Sequence, residues 1–195
     1  MTVDRFLRPL AAAVLAGAGA AHAATVCRSN ANLGVPADGE GLYVNFATGV
    51  SGRTESQAPG FDLDVYAMQV SNPDGQMKFY WGPVSNPGAG VVTSGDTYAV
   101  LAEGDTVGPM STFSRAAALG VTTAWQAGVT GFLGARFRNE AAGNALHYGW
   151  VHLATTAPLG FPATILDWCY EDTGNAIMIA LPDALFANGF EAATP

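Results

Sequence analysis

The run Phe61-Asp62-Leu63-Asp64-Val65-Tyr66-Ala67 alternates apolar and polar residues, and Met77-Lys78-Phe79-Tyr80-Trp81 alternates in the same way. Between them stands Asn72-Pro73-Asp74-Gly75. Successive side chains of an extended strand point to opposite faces, so a period of two marks a strand with one face buried. Pro73 presets φ at the first corner of a tight turn, and Gly75 accepts a positive φ at its close. Two such runs joined by such a turn predict a β-hairpin. Phe61, Leu63, Val65 and Ala67 are expected inside; Asp62, Asp64 and Tyr66 are expected on a solvated face.

Working outward, Leu42, Val44 and Phe46 alternate with Tyr43 and Asn45, a further half-buried strand. Residues 97–102, 129–138, 146–153, 163–170 and 176–180 are apolar on both faces, as strands in the middle of a packed sandwich would be. Residues 85–88 and 139–144 read as connections, and 28–40 as a loop between strands. With 24 Gly and 11 Pro, long helices have little room, and residues 114–119 offer at most one helical turn. No internal repeat is visible. The expectation is an all-β, antiparallel, single β-sandwich or jelly-roll domain over residues 24–183, with a tail over 184–195.

The first 23 residues do not belong to that domain. Arg5 and Arg8 precede an apolar run over 10–21, and Ala21-His22-Ala23 fits the small-x-small cleavage rule of a signal peptide. The rival reading is a membrane anchor, but a run of roughly a dozen residues falls short of about 20 needed to span hydrocarbon. Setting aside Asp4, Arg5 and Arg8 turns the net charge of −8 into −9, with Lys78 as the only lysine. That balance disfavours nucleic acid and anionic membranes, which need a cationic footprint. Residues 176–186 form the longest later apolar stretch, and Pro182 and Asp183 interrupt it, so no membrane span is expected in the mature chain. The protein is expected to be secreted, in the periplasm, at the cell surface or outside the cell.

The two cysteines, Cys27 and Cys169, are expected to pair in an oxidising compartment, with free thiols or a metal pair as alternatives. A bridge would close a loop of about 140 residues, worth about 4–5 kcal/mol in the chain-entropy description.

Five segments taken in order carry a resemblance: residues 41–49 (Gly41-Leu42-Tyr43-Val44-Asn45-Phe46-Ala47-Thr48-Gly49), 60–66, 132–137, 148–153 and 163–173. Together they resemble the body of secreted proteins that often end in a PEP-CTERM sorting segment. The resemblance implies export and a β-rich role at the cell surface or in the matrix; it carries no activity and no catalytic residues. The chain departs from that pattern in lacking Pro-Glu-Pro, the apolar helix and the terminal basic cluster. Its Phe186-Ala187-Asn188-Gly189-Phe190-Glu191 resembles short Phe-x-x-Gly-Phe-Glu tails on exported proteins of some Gram-negative bacteria. A sorting address and an edge-packed or disordered terminus are both open readings of it.

Candidate chemistry is sparse. His147 and His152 stand five apart on an expected strand, so they point to opposite faces and do not share a metal easily. Asp172-Thr173-Gly174 copies the aspartic-protease tripeptide, but only one copy is present and a turn explains it equally. Asp62 and Asp64, about 7 Å apart by the two-residue rise, could bind calcium or form a carboxylate pair, though a solvated strand face also explains them. Asn72 and Asp74 could join a calcium site. No Gly-x-Ser-x-Gly, phosphate loop or dinucleotide fingerprint occurs. Tyr43, Tyr66 and Tyr80 fall on polar faces beside Asn45, Asp62 and Asp64, where they could stack on sugar rings; exposed tyrosines on sheets are also common. Trp125, Trp150 and Trp168 have apolar neighbours and are expected in the core. The two functions open at this point are a non-catalytic structural or adhesive protein and a carbohydrate-binding module or secreted glycan hydrolase. No cofactor is required, calcium aside, and the expected partner is an extracellular polysaccharide or matrix.

Overall fold

The computed structural model describes residues 24–69, 75–80, 88–114 and 121–181. Its elements are β1 (Thr25–Arg28), β2 (Leu33–Val35), β3 (Leu42–Val44), β4 (Ser51–Gly52), β5 (Leu63–Met68), β6 (Gln76–Tyr80), β7 (Gly90–Ser94), β8 (Thr97–Tyr98), β9 (Thr106–Val107), β10 (Phe113–Ser114), α1 (Thr123–Gln126), β11 (Thr130–Asn139), β12 (Ala145–Ala154), β13 (Ala163–Glu171) and β14 (Ile177–Met178).

The long strands β11, β12 and β13 pair antiparallel at the centre of an eight-stranded sheet ordered β1-β13-β12-β11-β7-β10, with β2 also on β13 and β8 on β7. A four-stranded antiparallel sheet, β4-β3-β5-β6, lies against one face of it. Leu133, Ala135, Phe137, Val151, Leu153 and Ile165 meet Leu42, Val44, Leu63, Val65, Met77 and Phe79 in the shared core. The opposite face carries Phe132, Tyr148, Trp150 and Cys169, covered by Val107, Ile177 and Ile179 from the small β9–β14 ladder and its flanks. The arrangement is therefore an all-β sandwich with a third, thin layer. Covering on both faces is why β11 to β13 lack a polar face, as their sequences predict.

Gly134 fits this packing. A Cβ there would approach Val92, Leu101 and Val107 within 2.6–2.9 Å, so its missing side chain lets the third layer sit down on β11. Trp125 on α1 is fully buried and meets Phe79 edge-on, 5.9 Å between centroids. Trp150 and Trp168 are also buried, and the Trp168 Nε1–H donates to the Phe46 carbonyl at 3.1 Å.

Cys27 and Cys169 are bonded, and they face each other across the β1–β13 ladder with their Cα atoms 4.1 Å apart. The bridge joins residues 142 apart in sequence and ties the first described strand to the centre of the large sheet.

Some expectations change. The segment 28–40 is not all loop: Arg28 ends β1, and Leu33–Val35 pair with β13 as β2. The strand expected over 97–102 shrinks to Thr97–Tyr98 and the one over 176–180 to Ile177–Met178. Gly90–Ser94 is a strand the sequence reading passed over; Val91 reaches one core and Val92 the other. Ser114 belongs to β10 and a helical turn is seen at Thr123–Gln126, while the rest of the turn expected over 114–119 lies outside the described residues. The connection over 139–144 is borne out, with a 3-10 turn at Glu140–Ala142 closed by Gly143 at φ 66°. Met68 pairs with Gln76, so the 61–81 hairpin forms. Its turn residues 70–74, Trp81, the connection at 85–87, residues 115–120, the leader and residues 182–195 lie outside the described residues.

Candidate functional site on the outer face of the four-stranded sheet

The inner face of β3, β5 and β6 belongs to the core, so side chains at the intervening positions point away from it. Register places Tyr43 opposite Asp64 and Asp64 opposite Tyr80, in one row across three strands. Tyr66 lies opposite Lys78, one row further along. The three tyrosines named from the sequence thus share one face, and all are partly exposed.

Phe61 joins them, which the alternation did not predict. It meets Tyr43 edge-on at 4.8 Å and Tyr80 at 5.9 Å between ring centroids. The chain bends at Asp62 before β5 begins, and this break shifts Phe61 out of phase with Leu63 and Val65. Gly60, at φ 66°, is the sequence signal for that break. Phe61 is 1% exposed and forms a floor between the two tyrosine rings.

Neither Asp62 nor Asp64 is on a solvated face; each is 3% exposed. The bend also separates them. Asp62 accepts the Phe46 N–H at 2.7 Å, where β3 has ended and the chain needs another acceptor. Its burial holds its pKa well above the usual carboxylate range, against that hydrogen bond and with help from the charge of Glu140. Asp64 instead lies among Tyr43, Tyr66 and Tyr80. Burial pushes its pKa up to about 8; the Leu42 amide opposes the rise, and Glu40, Glu55 and Asp38 add to it. One oxygen of each carboxyl has no hydrogen-bond partner. Gly41, at φ 56°, runs directly over Asp64, where a Cβ would come within 2.7 Å of Oδ1. Each carboxyl is thus buried against its own backbone donor, the Phe46 N–H for Asp62 and the Leu42 amide for Asp64. Among the described residues no group of three or more His, Cys, Asp or Glu is placed to hold a metal ion.

The tyrosines respond to the same surroundings. Burial, then Asp64, Glu40 and Glu55, raise the Tyr43 hydroxyl to about 12. Burial and Asp64 also raise Tyr66. These hydroxyls remain protonated donors at any physiological pH. At neutral pH Asp64 is mainly neutral, so it can both donate and accept. Asn45 is committed elsewhere: its side-chain amide donates to the Pro59 and Gly60 carbonyls and its oxygen accepts the Thr48 N–H.

The other candidates are dispersed. His147 is buried and packs on Phe137 and Tyr170, whereas His152 stacks on Phe132 at 4.5 Å and contacts Asp167 at 3.2 Å, so the two do face opposite ways. Asp172-Thr173-Gly174 is a turn, with Gly174 at φ 82° and Glu171 accepting the Thr173 N–H. The face therefore combines aromatic rings, hydroxyl donors and a buried carboxyl. No helix among the described residues is long and apolar enough to cross a membrane. Compared with protein-family models, curated proteins and solved structures, the chain matches none, and the chemistry of the face rests on its own geometry.

Proposed function

We propose that this chain is an exported, non-catalytic protein of the cell surface or extracellular matrix that adheres to polysaccharide through the tyrosine face of its four-stranded sheet. One observation carries the reading. Tyr43, Asp64 and Tyr80 form a cross-strand row, with Tyr66 beside it and Phe61 beneath it. Each tyrosine offers an apolar ring and a polar tip, the pairing a sugar needs for its C–H face and its hydroxyls. A sheet face is a platform rather than a cleft, so it suits an extended chain contacted along its length.

Export is supported by the Arg5, Arg8 and 10–21 leader pattern, by the disulfide and by the resemblance of residues 41–173 to secreted sorting-segment proteins. The Phe186–Glu191 tail is proposed as a sorting address. The test of the binding reading is a glycan array. Purified protein is expected to retain a subset of neutral polysaccharides, and the triple variant Tyr43→Ala, Tyr66→Ala, Tyr80→Ala to bind them about a hundredfold more weakly, as loss of about 3 kcal/mol of contact requires. Silence of the unaltered protein across the array contradicts the reading.

A further inference from the structure

A second site lies at the edge of the sandwich, apart from the tyrosines. After Arg28 the chain leaves the edge of β13, bends through Ser29 to Asn32, and rejoins β13 as β2. Asn30 and Asn32 hold the bend at φ 55° and 46°, left-handed values that asparagine tolerates better than most residues. Across from this bend stands the turn between β3 and β4. The space between them is a cleft of about 530 Å³, lined by Arg28, Ser29, Asn30, Gly49, Ser51 and Trp168 among others. A smaller cleft of about 140 Å³ continues from it, sharing Arg28, Gly49 and Trp168.

The direction of Arg28 follows from the ladder. Cys27 points with Cys169 toward the third layer, so Arg28, paired with Trp168, projects toward the four-stranded sheet. Its guanidinium reaches Gly49, where a Cβ would lie 3.7 Å from Cζ. Among the described residues the ion pairs are Arg53–Asp38 and His152–Asp167, and Arg28 enters neither. An exposed arginine with no ion pair among the described residues can offer its donors to a ligand. Its fork of N–H donors matches a carboxylate in two parallel hydrogen bonds. Ser29, Asn30 and Ser51 add hydroxyl and amide groups that suit a polyhydroxylated molecule. The volume falls within the ordinary range of small-molecule sites, about 300–1,000 Å³.

We propose that this cleft binds a carboxylate-bearing saccharide, a uronate, with Arg28 as its anion-binding group and Ser29, Asn30 and Ser51 as partners of its hydroxyls. The site does not depend on the tyrosine face. Tyr43 and Val44 are consecutive and point to opposite sides, and Ser51 pairs with Val44 at the inner side of the β3–β4 hairpin.

The experiment is an amide and arginine side-chain NMR titration of the protein with sodium glucuronate, glucose and sodium acetate. Glucuronate is expected to shift the Arg28 Nε–H and the Gly49 and Ser51 amides in a saturable way, with glucose and acetate weaker by about tenfold each. Arg28→Gln is expected to abolish saturation while leaving the thermal midpoint unchanged, because Arg28 is exposed. The tyrosine triple variant is expected to bind glucuronate normally. Equal binding by Arg28→Gln, equal binding of acetate, or no saturable shift overturns the proposal. Failure of the array test alone leaves it standing.

Discussion

Trp150 on β12 and Tyr43 on β3 are both aromatic residues on paired strands, yet their surroundings differ. Trp150 is 1% exposed, meets Phe132 edge-on at 5.2 Å and lies under the β9–β14 layer. Tyr43 rests on Phe61 and keeps part of its surface in solvent. The difference follows from the sheets. The eight-stranded sheet is covered on both faces and spends its side chains on packing. The four-stranded sheet is covered on one, so its other face is free to carry polar groups. There Asp64, with a partnerless oxygen, sits among three tyrosines. The region that holds the fold together and the region proposed to meet a ligand are thus separated by the thickness of one core.

That comparison can be broken most easily from the large sheet. Trp150→Ala is expected to cost about 3–5 kcal/mol in denaturant unfolding, since the cavity lies between two packed layers. Reducing the Cys27–Cys169 bridge follows, at about 2–5 kcal/mol, read as the shift of the denaturation midpoint with and without a dithiol. Tyr80→Ala on the outer face is expected to cost less, about 1–2 kcal/mol, because the ring is partly exposed and the buried side chain it covers is Phe61. A cost for Tyr80→Ala as large as that for Trp150→Ala would erase the distinction between scaffold and working face.

Acidity sharpens the comparison further. The folded pKa of Asp64, about 8, lies above its unfolded value, so the native state holds the proton more tightly. Its contribution is fully present below the unfolded value near ~4 and is lost as pH rises through 8. The thermal midpoint should therefore fall from pH 5 to pH 8. Asp62, shifted the same way, adds to the fall. Asp64→Asn should compare more favourably with the unaltered protein at pH 8 than at pH 5; an equal difference at both would show that Asp64 does not titrate in this window. The smallest effect is expected at the surface. Arg53 and Asp38 are ion-paired with side chains 46% and 47% exposed, and Arg53→Ala is expected to change stability by only about 0–1 kcal/mol.

Much of the scaffold was legible in the residues. Period two in 61–67 and 77–80, and doubly apolar runs at 129–138, 146–153 and 163–170, correspond to β5, β6, β11, β12 and β13. The disulfide and the burial of Trp125, Trp150 and Trp168 were legible too, because composition and context constrain them strongly. The short strands β2, β4, β7, β9 and β10 were not, since two to five residues carry too little pattern to separate from a loop. The site was half legible. Local alternation put Tyr43, Tyr66 and Tyr80 on one face. It could not show that the bend at Asp62 sends Phe61 outward and Asp62 inward, because a one-residue break reverses every side chain before it. Nor could it show the burial of Asp64, which depends on Gly41 crossing above it just before β3 begins. The Arg28 cleft was invisible for the same reason: its walls come from β1, the bend after it and the β3–β4 turn.

The most direct test of the central claim is to map where a polysaccharide fragment touches the protein. Backbone amide NMR, recorded while titrating the oligosaccharide best retained on the array, is expected to move resonances in β3, β5 and β6 around Tyr43, Asp64, Tyr66 and Tyr80, and to leave β11, β12 and β13 still. Shifts concentrated on the β9–β14 layer, with the tyrosine strands unmoved, would contradict it.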